Sequence, residues 1–100
     1  MLIVAGTIAF DPTKQAAADA AFEKMRAATL GEPGCIEYQA YRDRSQPGVV
    51  FMFEQWQSQD ALSAHFATAH MAEFGKAIGA LGVMRMDVSK YEVTAQGSVP

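Results

Sequence analysis

Two histidines, His65 and His70, are the only ones in the 100-residue chain, and its single tryptophan, Trp56, stands just upstream of them. Glu54 precedes Trp56 by two residues, so the acid–base groups and the largest aromatic crowd into one short stretch. An imidazole with an ordinary pKa near ~6.5 accepts a proton at neutral pH, which makes His65 the first candidate for a general base. The competing reading of His65 is structural, a ring bonded to a backbone carbonyl where helix meets sheet. Trp56 is suited to stacking on a planar ligand, or else to filling core or interface. Glu54 is placed to bond a substrate or to pair with Arg42 across a hairpin. The Tyr38 hydroxyl is a candidate to point into the same cavity, with Met52, Met71, Met84 and Met86 as an adaptable lining for a flat apolar molecule. His70 caps a second helical segment if the helix breaks near it, or joins the substrate-binding set. A metal is not expected. The two histidines are five apart, a spacing that puts them on different faces of one helix, and no acidic third ligand stands at a recognisable spacing. Cys35 follows Pro33-Gly34 with nothing basic beside it and reads as a small buried residue.

The elements that must position these residues follow from periodicity. Residues 48–56 alternate, placing Val50, Met52, Glu54 and Trp56 on one face and Phe51, Phe53 and Gln55 on the other. Both faces are apolar up to Glu54, which predicts an interior strand buried on both sides. Ser58 is an N-cap, Asp60 lies in a first helical turn, and Leu62, His65, Phe66 and Ala69 share a helical face. That stripe continues through Phe74, Ile78 and Leu81. Thr68 is able to cap a new helix, so residues 59–81 read as one helix or two.

Upstream, residues 2–10 form a first strand. Asp11-Pro12 opens a helix over 12–30 that Gly31 and Pro33-Gly34 close. Residues 35–43 form a second strand with Ile36, Tyr38, Ala40 and Arg42 on one face and Tyr41 on the other, and the polar turn at 44–48 makes a hairpin with the third. Residues 83–94 alternate as a fourth strand, and 95–100 form a polar tail. The order β-α-β-β-α-β predicts a single α+β domain over 1–100, a ferredoxin-like sandwich with an antiparallel sheet and helices on one face. The other face needs a cover, and half of the residues are hydrophobic, so a two-fold homodimer through the sheet is expected.

A net charge of −3 with no Lys/Arg cluster argues against nucleic acid, and no apolar run is long enough to span a membrane. One cysteine permits no internal disulfide, and the apolar start has no basic region before it, so a cytoplasmic setting is expected.

Pro33-Gly34-Cys35, the strand end Glu54-x-Trp56-x-Ser58, and Ala64-His65 followed by His70-x-x-x-Phe74 together resemble the antibiotic biosynthesis monooxygenase (ABM) family, over about residues 2–92. The resemblance implies a dimeric α+β barrel with a pocket between sheet and helices. It implies small oxygenases that act on phenols or quinols, several without metal or flavin, beside haem-degrading and metabolite-processing members. The haem-degrading members carry an Asn on strand one, a Trp in the helix after strand three and a His ten residues on. Here strand one has no Asn, and His65 and Gly75 stand at the other two positions, so haem degradation is not expected.

The expectation is therefore a cofactor-independent monooxygenase that oxidises a small phenol, quinol or anthrone-like aromatic with O2 as co-substrate. His65 would be the base, with Trp56, Tyr38, Met52, Glu54 and His70 around the substrate. The alternatives are a sensor or carrier module that binds without chemistry, and an oxygen-independent isomerase.

Overall fold

The computed structural model describes residues 1–100. The chain runs β1 (Leu2–Ala9), a short 3-10 turn (Pro12–Lys14), α1 (Gln15–Thr29), β2 (Cys35–Arg42), β3 (Val49–Trp56), α2 (Gln59–Phe66), α3 (Ala69–Gly79) and β4 (Arg85–Glu92). Asp11 opens the helical region as its residue type dictates, its carboxylate accepting from the Thr13 amide, but it caps the 3-10 turn, and the α-helix proper begins at Gln15. The sheet order is β2-β3-β1-β4, antiparallel throughout, which is the ferredoxin-like α+β arrangement with three helices.

Antiparallel partners share a sheet face. The face under the helices is therefore built in rows: Cys35–Trp56–Leu2, then Tyr38–Glu54–Val4, then Ala40–Met52–Gly6, then Arg42–Val50–Ile8. A bulge between Cys35 and Glu37 corrects the expected alternation of β2. It turns Ile36 out of phase, leaving it 47% exposed, and sets Cys35 on the same side as Tyr38.

The second face of β3 is also corrected. Val50, Met52, Glu54 and Trp56 are buried, but Phe51 is 46% exposed, because all three helices lie on the other side of the sheet. The exposed face carries Tyr41, Phe51 and Tyr91. Met84 and Met86 are exposed and line no common cavity with Met52, which is buried in the main core.

The apolar core is split. A cluster of ten residues around Phe10, Phe22, Tyr38 and Met52 occupies one end of the sheet, and Leu2, Trp56 and Leu62 form a smaller one at the other. The polar row at Glu54 lies between them. Above it, the helical region after β3 is two helices. The Thr68 hydroxyl accepts from the Met71 amide at 3.2 Å, capping α3, and donates to the His65 carbonyl at 2.8 Å, tying off α2. The break ends the expected stripe: Leu62 and His65 are buried, while Phe66 is 59% exposed. Replacing Thr68 by Ala is expected to cost about 1 kcal/mol in chemical denaturation. An unchanged midpoint would show that the joint does not depend on this hydroxyl.

No helix is long and apolar enough to cross a membrane.

Candidate functional site

The site is organised by a residue that sequence reasoning missed. Glu32 lies in the loop between α1 and β2, where its amide donates to the Thr29 carbonyl and its own carbonyl accepts from Cys35. Pro33 and Gly34 then bring this loop against α2. Gly34 has φ +84, its carbonyl accepts from the Gln57 amide at 2.8 Å, and a Cβ there would stand 2.6 Å from the Ala61 methyl. Glycine is needed both for the left-handed backbone and for the close approach.

That approach puts one carboxylate oxygen, Glu32 Oε2, 2.7 Å from His65 Nδ1 and 2.7 Å from His70 Nε2. The three side chains come from a loop, the last turn of α2 and the first turn of α3. The expectation that a spacing of five keeps the histidines apart fails because the chain turns at Thr68 between them. His70 does not cap α3, since Thr68 does. The acidic partner that sequence spacing does not reveal is Glu32, which stands between the helix-closing Gly31 and Pro33.

His65 is 2% exposed. Its ring lies 4.8 Å from Trp56, 6.0 Å from Tyr38 and 5.5 Å from Phe66, centroid to centroid. Glu32 occupies Nδ1, so the tautomer this contact selects places a proton on Nδ1 and a lone pair on Nε2.

Trp56 is fully buried and faces the helices, not the open side of the sheet. Its indole N–H donates to Glu54 Oε1 at 2.9 Å. The expected Glu54–Arg42 pair is not formed. Tyr38 is the residue opposite Glu54, Arg42 is opposite Val50, and the Arg42 guanidinium lies 3.7 Å from Asp19.

Burial dominates the electrostatics. It pushes the Glu54 carboxyl up, against the indole hydrogen bond and the nearby His65. It raises the Tyr38 phenol well above its ordinary range, with Glu54 adding to the effect. Burial, then the carboxylates of Glu32 and Glu54, push the Cys35 thiol up to about 11, in keeping with an inert residue.

The expected apolar pocket beside His65 is not formed within the single chain. A depression of about 480 Å³ is lined by Glu32, Pro33, Gly34, Gln57, Ala64 and Thr68 among others, and a narrower groove of about 100 Å³ between α1 and α3 reaches His70 and Phe74. His65 borders neither; Glu32 opens to the first and His70 to the second.

A small ferredoxin-like α+β domain with a partly buried carboxylate–histidine cluster where the α1–β2 loop meets α2 and α3 is the class that fold and site define. The sequence matches the antibiotic biosynthesis monooxygenase model over residues 1–77, and the chain belongs to that family. It is 34% identical over 73 residues to an uncharacterized protein of Synechocystis, covering 73% of this chain and 50% of that protein, so it spans about half the relative's length. A structure from Deinococcus radiodurans, assigned to the antibiotic biosynthesis monooxygenases, superposes with a TM-score of 0.92 at 26% identity, covering 100% of this chain and 99% of the other. One from Caulobacter crescentus with the same assignment gives 0.86 at 27%, covering 94% and 90%. A Bacteroides thetaiotaomicron protein of unknown function, named as a candidate oxidoreductase, gives 0.84 at 28%, covering 92% and 96%.

Proposed function

We propose that the chain is a cofactor-independent monooxygenase that oxidises a small phenol, quinol or anthrone-like substrate with O2, and that His65 is its base. The observation that carries this reading is the Glu32 carboxylate on His65 Nδ1, which leaves Nε2 to take a proton beside Trp56 and Tyr38. Deprotonation makes the substrate electron-rich enough to pass an electron to O2. An anthrone methylene and O2 then give a quinone carbonyl and water, balancing in atoms and electrons with no outside reductant. A substrate that stacks on the buried Trp56 requires an opening beside His65, and Phe66, exposed and 5.5 Å from the His65 ring, is the side chain whose rotation would make it. Glu54 bonds the Trp56 indole and His70 shares the Glu32 carboxylate with His65, so both stand next to the base and its aromatic neighbour, while Met52 packs in the core of the same sheet face.

One observation favours a second reading. Because His65 borders no cavity, the domain also suits a module that binds a small molecule without changing it. Oxygen uptake by chelator-treated protein with a panel of hydroquinones and anthrones separates the two. Uptake above autoxidation with a product that has gained one oxygen atom and lost two hydrogens supports the oxygenase, and a ligand recovered unchanged supports the binding module. Turnover without oxygen would replace both with an isomerase.

The functional unit is a homodimer closed through the sheet face that carries Tyr41, Phe51 and Tyr91, each about half exposed in the single chain. Light scattering is expected to give twice the 10.8 kDa chain mass at micromolar concentration, and a monomer mass would rule this out. The single free thiol suits a reducing, cytoplasmic setting.

A further inference from the structure

The geometry points to a divalent-metal site formed by Glu32, His65 and His70 that takes a zinc-class cation. The three are the chain's one convergent set of ligand atoms, His65 Nδ1, His70 Nε2 and a Glu32 carboxylate oxygen, all within 4.8 Å of one another. Two imidazoles and one carboxylate are a complete three-ligand set for zinc and for related divalent transition metals, with a further position left for water. A cation held tetrahedrally at about 2.0–2.1 Å by both imidazoles needs their nitrogens roughly 3.4 Å apart, so ligand atoms that now lie within 4.8 Å of one another close by up to about 1.4 Å. The less buried members are the ones to make that change: the His70 and Glu32 side chains are 26% and 11% exposed, whereas His65 at 2% is enclosed by its neighbours. The cation takes the place that Glu32 Oε2 now fills between the rings, and the carboxylate draws back toward the depression it lines with Pro33, Gly34 and Thr68. That depression is also the entry path.

The consequence for activity rests on the base reading above, while the binding itself does not. An imidazole that gives Nδ1 to a metal carries its proton on Nε2. The cation and the proton-accepting state of His65 therefore exclude each other, and zinc acts as an inhibitor that a chelator reverses.

The test titrates zinc into the chelator-stripped full chain by calorimetry and follows thermal unfolding in parallel. One ion per chain is expected, with micromolar or tighter affinity and a raised melting temperature. Glu32→Gln and His70→Ala should each weaken binding by roughly 100-fold (about 2.7 kcal/mol). Cys35→Ser should leave it unchanged, because the thiol is outside the cluster. No binding up to millimolar zinc, or equal binding by the His70 and Glu32 variants, would overturn the site. Should the His70 variant fail to fold, Glu32→Gln alone decides. Binding that leaves turnover unaltered would instead remove His65 as the base and keep the site.

Discussion

Replacing His65 by Ala is expected to lower oxygenase turnover by about two orders of magnitude or more, with the fold retained by circular dichroism. The magnitude follows from the role. A proton transfer to a positioned imidazole contributes on the order of 10²–10⁴ in rate, and the chain's only other histidine gives its Nε2 to Glu32 and stands across the carboxylate. Glu32→Leu should lower kcat by on the order of tenfold or more with a smaller change in KM, because it releases the tautomer without removing the base. Glu32→Asp, with a shorter reach, should recover part of the loss. A core histidine with no chemical role would instead lower stability and leave the turnover of the folded fraction intact. Oxygen uptake by His65→Ala at the wild-type rate would remove the base assignment.

The largest effect on stability is expected at Trp56. Trp56→Ala should destabilise the chain by about 3–5 kcal/mol, because a fully buried indole is lost from the smaller apolar cluster and leaves a cavity against Leu2 and Leu62. Trp56 is the only tryptophan, so unfolding of the variant has to be followed by circular dichroism. Trp56→Phe keeps most of the packing but removes the donor to Glu54 Oε1, leaving a buried carboxylate oxygen without it, at about 1–3 kcal/mol. Glu54→Gln is the converse. Its amide oxygen still accepts from the indole, and the buried charge is gone.

The sign with pH follows from the raised Glu54 carboxyl. A carboxyl that binds its proton more tightly folded than unfolded contributes stability that is fully present below the unfolded pKa. That contribution is lost as pH rises through the folded value. Glu54→Gln should therefore gain on wild type between mildly acid and neutral pH. Equal pH dependence of the two proteins would show that Glu54 is not strained by burial.

The fold is legible because its signals are local. Asp11-Pro12, Pro33-Gly34 and Ser58 punctuate the elements, and the alternation in residues 48–56 correctly puts Glu54 and Trp56 on one face. What escapes is what depends on partners far away in the chain. Glu32 meets His65 and His70 from 33 and 38 residues off, through a loop approach that only Gly34 permits. Nothing in local spacing marks it. The bulge at Ile36 is likewise set by pairing with β3, and a one-residue slip moves Cys35 to the helix side. The Glu54–Arg42 pair fails for the same reason, since register, not charge, decides what lies across a hairpin. Thr68 sits between the two cases. Its capping ability is visible in its type, but that it breaks the helix and turns His70 toward Glu32 is a consequence of tertiary packing.

The central claim is that Glu32 fixes the His65 ring with its proton on Nδ1 and its lone pair on Nε2. Nitrogen-15 NMR of the imidazoles in the metal-free protein at neutral pH reads this directly, with His70→Gln assigning the two rings. The account predicts a protonated Nδ1 and a bare Nε2 for His65, and loss of that preference in Glu32→Leu. A proton on Nε2 in the wild-type protein, with Nδ1 bare, would contradict it, since the only lone pair left to His65 would then face Glu32 and not a substrate beside Trp56 and Tyr38.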